Sequence, residues 1–174
     1  YRTHTNLGAA RFQLNKTSEA KSSFEKAGSL KENGITKNNL AASAILDGNR
    51  ANAKKLIGQA KTAFDSKGDA SQKTAVNYNQ GILNIMDGKY AAADASFSEN
   101  SFNKALAQVL AGKLDVAKKT LSGLSETAET AYLKAIISAR SGEGVDAVVS
   151  NLKVAISKNP AMKEKAAKDR EFLK

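Results

Sequence analysis

Few side chains in this 174-residue chain can do chemistry, and their spacing excludes most reactions. There is one histidine, His4, and no cysteine, which removes a thiol nucleophile, a zinc finger and a disulfide framework together. Serines are frequent but lack a partner base, so no triad is read. A metal site would need carboxylates alone. The densest acids, Glu164, Asp169 and Glu171, stand among Lys163, Lys165, Lys168 and Arg170. That is the pattern of i, i+4 charge pairs on a solvated helix. The sequence therefore assigns no catalytic residue, no metal ligand and no cofactor.

Two patterns imitate nucleotide sites. Gly142-Glu143-Gly144-Val145-Asp146-Ala147 fits G-x-G-x-x-G/A, whose glycines let backbone N–H groups approach a pyrophosphate where a strand enters a helix. Here Ala131 to Arg140 is Ala-rich with a helical period, and no strand pattern occurs anywhere. The stretch reads as a turn between helices. Gly88-Lys89 and Gly112-Lys113 resemble the end of a P-loop, but Leu83 and Ala107 stand where its first Gly belongs. Both read as turns.

The elements behind these turns are helices. Alanine is abundant, with one Pro and no Trp, which favours an all-α chain. Gly8, Ala9 and Ala10 offer small residues to a close neighbour. Ala20, Phe24 and Ala27 follow the i, i+4, i+7 stripe of one buried face. Asn15-Lys16-Thr17 supplies turn chemistry between them, with Thr17 the expected N-cap. One such hairpin cannot bury its stripe alone, so copies must follow. No run approaches the roughly 18 apolar residues of a membrane helix, so membrane insertion is not expected. Tyr1 is no natural start and falls inside a helical pattern, so the chain reads as a fragment or processed form.

The spacing Leu7-Gly8, Phe12, Ala20, Phe24 and Ala27 resembles a tetratricopeptide repeat (TPR), a helix-turn-helix unit of about 34 residues. His4 stands where that family places a large residue, and the Pro that ends its unit is absent from the first copy. The resemblance implies a single domain, 1–174, built as a right-handed superhelix of about five TPR-like hairpins. Their bounds are 1–33, 34–70, 71–100, 101–124 and 125–160, with a capping helix at 161–174. It also implies an interaction scaffold and no enzyme.

The copies are unequal. The second repeats the first at a shift of 33 residues, through Asn39-Leu40-Ala41, Ile45, Gly48, Ala53, Ile57 and Ala60. The polar run Asp65 to Lys73 reads as a loop or frayed helix end and stretches the next spacing to 40. The third holds Tyr78, Gly81, Gly88, Ala93 and Phe97, with a short second helix. The fourth starts only 24 residues later, through Phe102, Ala105, Gly112, Ala117 and Leu121. The fifth holds Tyr132, Ala135, Val148, Leu152 and Ala155. Asn159 as N-cap and Pro160 at the first helical position predict a final helix from Ala161 to Leu173. The irregular spacing predicts a change of curvature near residues 98–104.

The first helices of such a superhelix line its concave side, so the resemblance places a binding stripe there. It takes in Asn6 and Phe12, then Asn39, then Tyr78, Asn79 and Ile82, then Phe102, Asn103 and Leu106. In the last copy it runs through Tyr132, Ile136 and Arg140. Asn6, Asn39, Asn79 and Asn103 hold the same place in four copies. Such a ladder of amides can bond an extended peptide backbone of any sequence, or each Asn can serve its own helix. Tyr78, Ile82, Phe102 and Leu106 can line an apolar groove or pack as core. Of the Lys/Arg/Asn pattern by which some TPR proteins clamp a chaperone's C-terminal carboxylate, only Asn39 survives. Thr5, Ala9, Ile35, Ala75 and Asn79 fill the other places.

The partner implied is a protein or extended peptide, of identity the sequence does not give. The formal charge of +10 allows an alternative, nucleic acid or an anionic surface. Residues 1–67 hold twelve Lys/Arg against five acids, most of that excess. Lys16, Lys21, Lys26 and Lys31 step every five residues, winding around the helix, and no aromatic residues interleave as stacking platforms. A structural spacer or self-associating module is the other alternative. The Ala/Ser/Asn/Lys-rich texture, with Phe-Asn-Lys-Ala-Leu-Ala at 102–107 and a Lys-Asp-Arg-Glu-Phe ending, is similar to repeat domains of Gram-negative envelope proteins. That texture implies the periplasm or outer membrane as the place of work.

Overall fold

The hairpins close by one local device. In a computed structural model describing residues 1–67 and 69–173, a left-handed residue follows the first helix of every pair. These are Asn15 (φ 57°), Gly48 (71°), Gly88 (71°), Gly112 (76°) and Gly142 (67°). The next N–H then reaches back to a carbonyl five residues earlier. Lys16 donates to Arg11 at 2.9 Å, and Asn49 to Ala44, Lys89 to Asn84 and Lys113 to Gln108 at 2.8 Å each. Glu143 donates to Ser138 at 3.1 Å. This satisfies a carbonyl that the helix end leaves open, and glycine or Asn adopts the required φ at least cost.

Eleven helices and no strand occur among the described residues. They are α1 (Arg2–Gln13), α2 (Thr17–Leu30), α3 (Gly34–Leu46), α4 (Arg50–Lys67), α5 (Ala70–Met86), α6 (Tyr90–Ser96), α7 (Phe102–Leu110), α8 (Leu114–Ser122), α9 (Ala128–Ser141), α10 (Val145–Lys158) and α11 (Met162–Lys168). The all-α expectation holds, and the second helix of the third pair is short, at seven residues. No described helix is long and apolar enough to cross a membrane.

Packing repeats in register with the turns. Seven residues before each left-handed position stand Gly8, Ala41, Gly81, Ala105 and Ala135, all buried. Five after it in the first four pairs stand Ala20, Ala53, Ala93 and Ala117, each at 0% exposure. Nine after it stand Phe24, Ile57, Phe97 and Leu121, also buried. A small residue on the first helix thus receives a large one from the second. A Cβ at Gly81 would lie 2.5 Å from Phe97 Cζ, so only hydrogen fits there. Burying a side chain such as Phe97 contributes ~2–3 kcal/mol, which a lone amphipathic helix cannot gain.

Contacts divide the chain into two compact units, Tyr1–Ser98 and Glu99–Lys174. The first contains α1–α6, with a core of Ala41, Ile57, Phe64, Val76 and Leu83. The second contains α7–α11 and two clusters. One gathers Val109, Leu121, Leu133 and Ile137, with Phe102 and Leu106 packed against it. The other gathers Ala131, Tyr132, Ala155 and Met162, with Phe172 against it. Within the second unit Thr120 Oγ1 donates to Gln108 Oε1 at 2.8 Å, joining two buried side chains of α7 and α8. The division falls where the spacing between copies shortens.

Three local expectations are corrected. Thr17 is not the N-cap of α2: Lys16 is, without a side-chain bond, and Thr17 opens the helix. The polar run 65–73 is helical on both sides, with α4 reaching Lys67 and α5 starting at Ala70. Gly68, within that run, lies outside the described residues. Asp69 caps α5 by accepting from the Gln72 N–H at 2.9 Å, while Gln72 Oε1 accepts from the Asp69 N–H. That capping box makes a helix start of polar residues that read as loop. Its backbone bond to Gln72 also holds the Asp69 carboxyl below its usual range. Lastly, the last described helix is Met162–Lys168 and not Ala161–Leu173, and Lys174, within the expected capping segment 161–174, lies outside the described residues. Asn159 Oδ1 bonds the Ala161 N–H at 3.1 Å, but the helix begins beyond both.

Candidate functional site

The first helices of the first unit carry the stripe expected to bind. On α1, Asn6 is exposed and Phe12 half-buried. Arg11 fixes α1 on α2 by donating from its guanidinium to Ser23 Oγ at 2.7 Å and pairing with Glu19 at 3.3 Å. On α3, Asn39 is half-buried. On α5, Tyr78 is 39% exposed and rests edge-on against Phe97, with centroids 5.2 Å apart.

Asn79 is tied into the fold. Its Nδ2 donates to Asn38 Oδ1 at 2.8 Å and to the Asn38 carbonyl at 3.2 Å, joining α5 to α3. The amides of Asn6 and Asn39 make no hydrogen bond among the described residues. Neither is fully buried, so both amides are accessible to solvent and to a ligand backbone. Asn103 is half-buried on α7 in the other unit, so the four asparagines divide three and one between the units.

The stripe of the second unit is occupied by the chain itself. Phe102 and Leu106 pack against the core of that unit. Tyr132 is only 4% exposed. Its hydroxyl donates to Asp169 Oδ2 at 2.7 Å, and the Phe172 ring meets it edge-on at 5.6 Å. Lys165 Nζ lies 4.6 Å from the ring centroid, a cation–π contact. Burial, then the bond to Asp169, pushes the Tyr132 phenol well above its ordinary range. One turn further along that face, Ile136 packs into the same cluster. Beyond it, Arg140 grips Glu171 with two parallel bonds, Nε to Oε2 at 3.0 Å and Nη2 to Oε1 at 2.5 Å. Its Nη1 donates to the Val109 carbonyl at 3.2 Å.

Two of the acids read as solvated-helix charges therefore have other uses. Glu164 does pair with Lys168 at 2.6 Å along α11. Asp169 and Glu171 lie beyond that helix and turn inward to Tyr132 and Arg140. Among the described residues no three His, Asp or Glu side chains gather closely enough to hold a metal ion.

One feature of this unit escaped the sequence reading. A cleft of about 450 Å³ lies beside α9 and α10, lined by Val145, Val148, Val149, Leu152 and Phe172. Val145 is 76% exposed. The four residues of α10 stand at i, i+3, i+4 and i+7, a signal of one apolar face. Gly142-Glu143-Gly144 forms the turn at its rim, with both glycines at positive φ, as the turn reading required.

Neither protein-family models nor curated proteins give a match to this chain.

Proposed function

We propose that this chain is a non-catalytic, TPR-like interaction scaffold that takes an extended segment of a protein partner along the first-helix face of its first unit. The observation carrying this reading is Asn39. Asn39 is half-buried on α3, next in sequence to the Asn38 that bonds Asn79, yet its amide makes no hydrogen bond among the described residues. A donor and an acceptor so placed suit a peptide backbone. Asn6 and the exposed edge of Tyr78 extend the same kind of surface. The repeated pairing of Gly8, Ala41 and Gly81 with Phe24, Ile57 and Phe97 supports the resemblance, since the family's small and large positions fall on these residues.

The test is a pull-down with nuclease present, comparing wild type with an Asn6→Ala/Asn39→Ala variant whose helicity matches by circular dichroism. Asn79→Ala is run separately, because Asn79 also joins α3 to α5. A protein retained by wild type and lost by the double variant supports the face. Equal retention by both sinks it.

The second reading, a basic face for nucleic acid or an anionic surface, has one observation in its favour. Lys54 and Lys55 on α4 are exposed, and neither makes an ion pair among the described residues. It predicts retention that nuclease abolishes and that falls steeply with salt.

A further inference from the structure

The C-terminal residues cross the face of α9 that corresponds to the ligand face of the first unit. Their contacts there are of the kind a peptide ligand makes. A carboxylate from Asp169 meets the Tyr132 hydroxyl, and a carboxylate from Glu171 meets the Arg140 fork. The aromatic ring of Phe172 lies against Tyr132 and lines the α10 cleft. Bidentate pairing with Arg is geometrically selective for a carboxylate. Arg140 is held in place by the Val109 carbonyl, so its fork is oriented from behind.

We propose that this α9 face is a docking site for peptides carrying acidic–any–acidic–aromatic side chains, and that Asp169-Arg170-Glu171-Phe172 occupies it as an internal stand-in. Charge favours such an occupant. Lys165 and Arg140 flank Tyr132 and Ile136, and the site's other wall is the valine-rich side of α10. The attachment of the internal segment is modest. Phe172 is half-buried and Leu173 is 65% exposed. The Glu171–Arg140 pair is partly open to water, where such pairs add little stability. A partner segment of the same chemistry competes with it, and its apparent affinity is lowered by the fraction of chains in which the face is covered. This rests on the proposed use of first-helix faces for peptides and adds the chemical class of the ligand.

The experiment uses the full chain and a fluorescent synthetic peptide, Lys-Asp-Arg-Glu-Phe-Leu, followed by anisotropy. A scrambled peptide of the same composition is the control. Glu171→Gln weakens the internal segment with little cost to the fold, and Glu171→Gln/Phe172→Ala weakens it further. Glu171→Gln is expected to bind the peptide about two- to fivefold more tightly than wild type, and the double variant more tightly again. Adding Arg140→Gln is expected to abolish that gain. If the double variant loses helicity, the Glu171→Gln chain alone decides. Absence of peptide binding to a folded variant overturns the proposal, as does binding that Arg140→Gln or scrambling leaves unchanged. A variant that dimerises in gel filtration without taking up peptide also overturns it, since the segment then docks only on a second copy. Failure here with Asn39-dependent capture intact removes this proposal and leaves the first unit's face standing.

Discussion

Gly8 and Phe24 meet so closely that a Cβ on Gly8 would lie 2.4 Å from Phe24 Cε1. The two helices of the first pair are set by that approach. Gly8→Ala gains ~1 kcal/mol of helix propensity but must displace a buried ring, which costs ~1–3 kcal/mol. The expected net is a loss of stability in urea denaturation. Gly58, in the interior of α4, has nothing within 4 Å of its Cβ position. Gly58→Ala is expected to stabilise by ~0.5–1 kcal/mol. The opposite signs of these two substitutions separate packing from propensity.

The turns give a second contrast. Gly48, Gly88 and Gly112 sit at φ of 71°, 71° and 76°, with open space at the Cβ position. Replacing any of them by Ala is expected to cost ~1 kcal/mol, from backbone strain alone. Asn15 holds the same place at φ 57°. Asn15→Gly is expected to leave stability within a few tenths of a kcal/mol, and Asn15→Val to lower it by ~1 kcal/mol or more. Thermal melts followed at 222 nm measure the series.

Inside the second unit, Thr120→Val leaves the Gln108 side chain without the Thr120 donor. With Gln108 at 2% and Thr120 at 5% exposure, the expected loss is ~1–3 kcal/mol. Gln108→Leu combined with Thr120→Val is expected to cost less than the two single losses added together. A double-mutant cycle reads the coupling.

Tyr132 predicts a pH dependence. The folded chain holds its phenol proton more tightly than the unfolded chain does, because burial and the bond to Asp169 favour the neutral form. Its contribution is therefore fully present below the unfolded value of about 10 and lost as pH rises from there. Tyr132→Phe removes the hydrogen bond and also this alkaline loss. The difference between wild type and Tyr132→Phe in phenolate absorbance at 295 nm is expected to develop only above the ordinary phenol range. Development at the ordinary value would show Tyr132 to be open to water.

Much of the fold is legible in the residues because its signals are local. A Gly or Asn at each turn, a small residue seven before it and, in the first four pairs, a large one nine after it all lie within one hairpin. Helical period and turn chemistry read them directly. The capping box Asp69–Gln72 was equally local, and its polar residues masked it as loop. The binding stripe was less legible. Its residue types can be read from spacing, but whether a Tyr faces water or core depends on what covers it.

The sequence by itself determined an all-α chain of paired helices, their turn positions and the lack of any cysteine or histidine cluster for chemistry. Tertiary structure alone decided the fates of the stripe residues. Asn79 bonds Asn38 across 41 residues of chain, and Tyr132 bonds Asp169 across 37. No periodicity links positions so far apart, since such partners are chosen by how helices pack. The short α11 has the same origin. Lys-rich sequence permits helix to Leu173, but Asp169, Glu171 and Phe172 gain a hydroxyl, a guanidinium and an aromatic face by leaving it. Those bonds outweigh one further turn of an exposed helix, whose propensity is worth only tenths of a kcal/mol per residue.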